Sequence, residues 1–172
     1  MQRYRLTVDK FLDYAAKWHG ASWVASTSPG GGVERMTYAQ LRERSRRVSG
    51  AMLDSGLRQR ERIATLAWNT LDHLTVYYAA VNAGLVCHTL NPRQGAAHLI
   101  QMVNEAQDRW LMVGAGLQPL ALQLLAGCPG LEAVILLDGQ AAEQDPPARI
   151  RRWGLEELLR SCGFALVVLA GA

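Results

Sequence analysis

From about residue 62 two hydrophobic rhythms alternate along the chain. Short runs that are apolar almost throughout, at 62–68, 85–90, 110–113 and 132–137, take turns with stretches at 71–83, 96–106 and 117–126. The short runs predict strands and the longer stretches predict helices. Punctuation agrees: Thr70 can cap the helix over 71–83 and Gly84 closes it, Asn91-Pro92 makes a turn, and Gly127 and Pro129 end the helix over 117–126. Strands without a polar face belong to a parallel sheet buried on both sides, and the intervening helices supply its crossovers. The predicted fold class is α/β: a Rossmann-like, doubly wound, mainly parallel sheet.

The chain before residue 62 is less regular. Phe11, Leu12, Tyr14, Ala15 and Trp18 recur at near-helical spacing, Gly20 can end that helix, and residues 22–25 form an extended piece. Residues 26–32, STSPGGG, could be a phosphate loop, but they lack the Gly-Lys-Ser/Thr ending that sets an ammonium and a hydroxyl on phosphates. A hairpin turn between two strands is the preferred reading. Thr37 and Gln40 have the spacing of a capping box, opening a helix with Leu41, Val48, Ala51 and Met52 on one face and Arg42, Glu43, Arg46 and Arg47 on the other. Gly56 sits where a left-handed cap belongs. Towards the other end, 140–148 reads as a loop, 153–159 as a short helix, and 163–172 as a nearly all-apolar tail.

Composition changes this picture little. A net charge of +3 over 172 residues is too small to argue for nucleic acid, and the arginines Arg42, Arg46 and Arg47 read as a solvated face. The longest apolar run, 164–172, is about half the ~20 residues that span a bilayer. Residues 1–10 carry no apolar signal core. Cys87, Cys128 and Cys162 are far apart with no CxxC pair, so neither a metal motif nor a disulfide framework is read, and a cytoplasmic setting is expected.

Candidate chemistry is sparse. Gly114-Ala-Gly116 follows a strand and precedes a helix, as a dinucleotide fingerprint would, but position 119 is Pro119 and not glycine. His88 near a strand end can face a ligand crevice or simply pack; His73 and His98 lie on helices, and none of the three has a partner at readable spacing. Cys87 reads as a small core residue.

Several linked segments between Met36 and Asp138 resemble the adenylate-forming acyl-CoA synthetases. MTYAQL at 36–41 is similar to the family's "TYAEL", RERIATL at 60–66 to "GDRVATL", and WNT at 68–70 with His73-Leu74 and Tyr77-Tyr78 to "WNxxxHLExYF". GLVCHTLNPR at 84–93 is close to "GAVLHTLNPR", NEAQDR at 104–109 to "NHAEDR", and 134–138 to the "VVVMD" strand. The segments at 84–93 and 104–109 point to medium- and long-chain fatty acid–CoA ligases. The resemblance implies an acid, ATP, Mg²⁺ and coenzyme A as reactants and cofactor, with acyl-adenylate formation followed by transfer to the CoA thiol. It also implies a possible homodimer.

The family's phosphate loop, "TSGTTGxPKG", and its lysine-bearing C-terminal domain have no match in these residues. The chain is therefore expected to be an N-terminal fragment, inactive alone. It divides into an N-terminal helix and hairpin at 1–35, repeated βα units at 36–138, and a loop, short helix and apolar tail at 139–172. No catalytic, cofactor-binding or metal-binding residue is assigned. The alternatives are a free-standing Rossmann-like module for a nucleotide or CoA and a dimerisation domain. As a fragment, it is expected to leave a sheet face uncovered and a strand edge open.

Overall fold

The computed structural model of the protein describes residues 7–27, 31–137 and 151–156, with the side chains of 151–153 excepted. Helix α1 (Asp9–Trp18) leads to an antiparallel hairpin, β1 (Trp23–Thr27) and β2 (Val33–Thr37). Ser26 and Thr27, expected in the loop, extend β1 because they pair with Glu34 and Val33 across the hairpin. Thr37 is both the last residue of β2 and the N-cap of α2 (Tyr38–Asp54). Its hydroxyl accepts from the Gln40 N–H at 3.2 Å while the Gln40 side chain accepts from the Thr37 N–H at 2.9 Å, so the expected capping box is present.

Five parallel strands follow: β3 (Arg62–Leu66), β4 (Val86–Leu90), β5 (Trp110–Val113), β6 (Ala133–Leu136) and β7 (Arg151–Gly154). Their order across the sheet is β4-β3-β5-β6-β7. Helices α3 (Leu71–Asn82), α4 (Ala96–Ala106) and α5 (Gln118–Gly127) connect the first four strands. Gly56 and Gly84 close α2 and α3 with φ of 101° and 70°, a backbone that favours glycine because a Cβ would crowd the carbonyl.

The winding follows from side-chain alternation. Ile63, Trp110, Met112 and Ile135 point to one face, where Val48 and Met52 of α2 and Val76 and Ala80 of α3 cover them. Ala64, Leu66, Leu111, Val113 and Val134 point to the other, under Leu99 and Val103 of α4 and Leu124 and Leu125 of α5. Both faces of β3, β5 and β6 are thus buried, whereas β4 stays partly exposed along its length. Among the described residues β4 ends the sheet order, with no strand on its outer side.

One further expectation changes. Arg151–Gly154 is a strand in register with Ala133–Leu136, where a helix over 153–159 was expected; helical backbone starts only at Leu155. Seven residues carry too little periodicity to choose a structure, and the free edge of β6 decides it. In α1 only Leu12 is buried, whereas Phe11, Tyr14 and Trp18 are about 60% exposed. The strand stop at 138–139, the 140–148 loop, Cys162 and the apolar tail lie outside the described residues.

One polar clamp spans the amino ends of three adjacent strands. Arg109, just before β5, donates from Nη1 to Glu61 before β3 and from Nη2 and Nε to Glu132 before β6, at 2.6, 2.6 and 3.0 Å. Burial alone would raise the Glu61 carboxyl, but the Arg58 N–H and the Arg109 guanidinium more than reverse it and leave it below the ordinary carboxylate range.

Candidate functional site: a cleft at the carboxyl ends of β3 and β4

Ligands in open α/β sheets sit outside the carboxyl ends of strands, where the winding reverses. Here that point lies between β3 and β5, and it is closed. The Gly114 N–H donates to the Leu66 carbonyl at 2.9 Å. A Cβ on Gly114 would lie 3.1 Å from the Ala67 Cα, so this glycine serves close backbone packing. With Pro119 in the first turn of α5, the Gly114–Gly116 loop offers no cradle for a pyrophosphate.

The open space lies one strand over. A cavity of about 470 Å³ is walled by β1, the first turns of α3 and Thr89 of β4, with Val24, Leu71, Leu74 and Tyr77 as its apolar sides. A second cavity of about 340 Å³ adjoins it, shares Asn69, His73 and Thr89, and runs out under Trp68, Pro92 and Arg93. The Ser26 hydroxyl donates to the Asn69 carbonyl at 3.0 Å and so ties the hairpin to the cleft's lip. Thr70 caps α3 by accepting from the His73 N–H, which fixes where His73 enters.

His73 is a half-buried polar group of the cleft. Its Nδ1 lies 3.2 Å from the Trp68 carbonyl and its Nε2 lies 3.0 Å from Thr65 Oγ1. A carbonyl only accepts, so Nδ1 carries the proton and Nε2 of the neutral ring accepts from the Thr65 hydroxyl. Burial holds this imidazole below its ordinary range, against the Trp68 carbonyl, which pulls the other way. Burial also pushes the neighbouring Cys87 thiol up to about 11, against a hydrogen bond with Thr65, so it is an unreactive thiol packed beside the core. At the mouth, Arg93 lies 5.9 Å from the Trp68 ring centroid, and its N–H donates to Asn91 Oδ1 at 3.0 Å, which orders the turn after β4.

His88 faces the opposite side of the sheet, and it does have a partner. Its Nδ1 is 2.7 Å from Oδ2 of Asp108, a carboxylate with no exposed side-chain surface. The other Asp108 oxygen has no hydrogen-bond partner among the described residues. Burial raises the Asp108 carboxyl, and His88 and Arg62 pull it down only in part. Twenty residues separate the pair, so spacing could not reveal it. The available signal was that His88 and Asp108 each fall in a segment resembling the ligases. His98 is exposed on α4, and Cys128 is buried under α5.

No group of three or more His, Cys, Asp or Glu side chains able to hold a metal occurs among the described residues. Neither these residues nor the Gly114–Gly116 loop fit Mg²⁺ or a triphosphate. No helix among them is long and apolar enough to cross a membrane.

Comparison with known proteins matches the same residues to one family. The model of the AMP-binding enzyme family matches residues 12–156. The chain is 36% identical over 151 residues to 3-methylmercaptopropionyl-CoA ligase of Ruegeria pomeroyi, covering 88% of this chain and 27% of that protein. It is 34% identical over 137 residues to the medium-chain-fatty-acid–CoA ligase of Ectopseudomonas oleovorans, covering 80% and 25%. The anthranilate CoA ligase AuaEII, solved in complex with anthranoyl-AMP, superposes with a TM-score of 0.73 at 17% identity, over 94% of this chain and 28% of that one, which shows a shared fold. The chain thus spans about a quarter of the length of the relatives it matches, and it belongs to the AMP-binding enzyme family.

Proposed function

We propose that this chain supplies the amino-terminal part of an ATP-dependent fatty acid–CoA ligase and is inactive by itself. The family match across residues 12–156, joined to relatives that are CoA ligases about four times as long, carries this reading. In the proposed reaction a carboxylate attacks the α-phosphate of ATP, pyrophosphate leaves, and the CoA thiol then displaces AMP. This chain's share is the scaffold: a parallel sheet whose carboxyl ends carry the cleft.

The test is acid-dependent exchange of pyrophosphate into ATP. The purified chain is expected to show none. A chimera in which this chain replaces the matching quarter of the Ectopseudomonas oleovorans ligase is expected to regain it. A folded but inactive chimera, or magnesium-dependent exchange by the chain alone, would overturn the proposal. The competing reading, a free-standing nucleotide or CoA module, loses ground because the Gly114–Gly116 loop is packed against Ala67 at its first glycine. Thermal-shift titration with ATP, AMP and CoA is expected to show no saturable stabilisation.

A further inference from the structure

A separate cavity of about 520 Å³ opens at the other end of the sheet, among the residues that leave α4 and α5 and those that enter β3, β5 and β6. Asp108 lines it. That side chain has no exposed surface; its Oδ2 is held by His88 Nδ1 at 2.7 Å, and its Oδ1 has no hydrogen-bond partner among the described residues. A buried carboxylate oxygen left without a donor is costly, and a charge-assisted donor is its strongest match. The Asp108 N–H donates to the Val103 carbonyl at 3.2 Å, which fixes where the carboxylate enters. Arg60 and Arg62 line the same cavity, and their exposed guanidinium groups form no hydrogen bond or ion pair among the described residues. Arg109, by contrast, is engaged by Glu61 and Glu132. Arg60 and Gln107, both lining residues, are also the two non-glycine residues with positive φ among the described residues, at 71° and 57°. Such backbone is uncommon outside glycine and persists where its surroundings hold it. The Arg60 N–H is held on the Gly84 carbonyl at 2.7 Å.

From this arrangement we infer that the cavity binds a small amino acid, its ammonium on the unmatched oxygen of Asp108 and its carboxylate on Arg60 and Arg62. The charges here select for both ends at once. Arg60, Arg62 and Arg109 are balanced by Asp108, Glu61 and Glu132, so the site rewards a ligand that carries both signs. A plain amine would complete Asp108 but meet two unpaired guanidinium groups. A plain acid would satisfy those groups and leave Asp108 Oδ1 without a donor. A planar guanidinium presents paired donors that match the two oxygens of a carboxylate. The cavity has the size of a small-molecule site, and the amide side chains of Asn104 and Gln107 add to its charged walls, which suits a hydrophilic ligand. It lies at the end of the sheet opposite the cleft of β3 and β4, so the inference does not rest on the ligase reading.

The experiment uses the purified chain, calorimetry, and four probes that carry the same two charges at growing separation: glycine, β-alanine, γ-aminobutyrate and ε-aminocaproate. Saturable one-site binding is expected, strongest at one length. Butylamine and butyrate, each with one of the two charges, are expected to bind about tenfold more weakly than the best-fitting probe. Arg62→Gln, at an exposed strand entry, is expected to keep the melting midpoint and to weaken that probe about tenfold. Asp108→Asn keeps the shape of the side chain and removes its charge; it is expected to weaken the probe by a similar factor without weakening butyrate. Absence of saturable binding by all four probes would overturn the inference and leave a buried water as the partner of Asp108. Equal affinity for butylamine, or indifference to Arg62→Gln, would overturn it as well.

Discussion

Thr65 and His73 show how a single hydroxyl holds a half-buried ring. Thr65 has no exposed surface and supplies the donor that Nε2 of His73 needs. Thr65→Val keeps the shape and removes that donor, leaving a half-buried acceptor unmatched. A loss of about 1–3 kcal/mol is expected from urea unfolding. Asp108 makes a second case, with a sign that can be worked out. Its folded-state carboxyl lies above the unfolded value of 3.8, so its contribution to stability is complete below that pH and is lost as pH rises through the raised value. His88 from β4 and Arg62 from β3 face it and soften that loss. Asp108→Asn removes the titration, so the variant's melting midpoint is expected to gain on the parent's as pH climbs from about 4 to neutrality. A constant difference across that range would rule the linkage out. Neither pair was legible from spacing: Thr65 sits eight residues from His73, on a strand whose facing cannot be read from an unbroken apolar run, and Asp108 sits twenty residues from His88. The closed glycine loop, by contrast, was legible in part, because Pro119 already broke the fingerprint.

Among the elements, those with local signals read correctly. The Thr37–Gln40 box, Thr70, and the positive-φ glycines at 56 and 84 punctuate helices through contacts a few residues apart. Thr37→Ala removes a cap from a 17-residue helix and is expected to cost about 1 kcal/mol, read from chemical unfolding. The same substitution tests more than the helix, since Thr37 also closes the β1–β2 register opposite Trp23. β7 was misread because its structure comes from the neighbouring strand. The exposed ring faces of α1 were equally invisible, because spacing announces a helix and not which side of it finds a neighbour. The Arg109 clamp belongs to this scale too, joining three strand entries. Its groups are partly exposed, so Arg109→Met is expected to lower stability by only about 1 kcal/mol, with the loss shrinking in high salt.

For the molecule as a whole, the alternation of apolar runs with helices was enough to predict a doubly wound parallel sheet, since few arrangements bury strands on both faces. It could not give the strand order. That order depends on the direction taken by each crossover, and the described chain reverses once, after β4. Fold and cleft together arise from this reversal: α3 lies on one face, α4 and α5 on the other, and the space beyond β3 and β4 is bounded by the hairpin.

The same reversal bears on how the protein is made. After β4 pairs with β3, β5 joins the other side of β3, and each later strand then joins beside the one just before it: β6 on β5, then β7 on β6. No strand must be inserted between two that are already paired. The sheet can therefore grow at one border in the order in which a ribosome delivers it, with each new layer laid on a finished one. Nascent chains arrested with β3 to β5 outside the exit tunnel are expected to resist protease already across 62–113. Protection that arrives only with β7 would mean that the whole sheet closes at once.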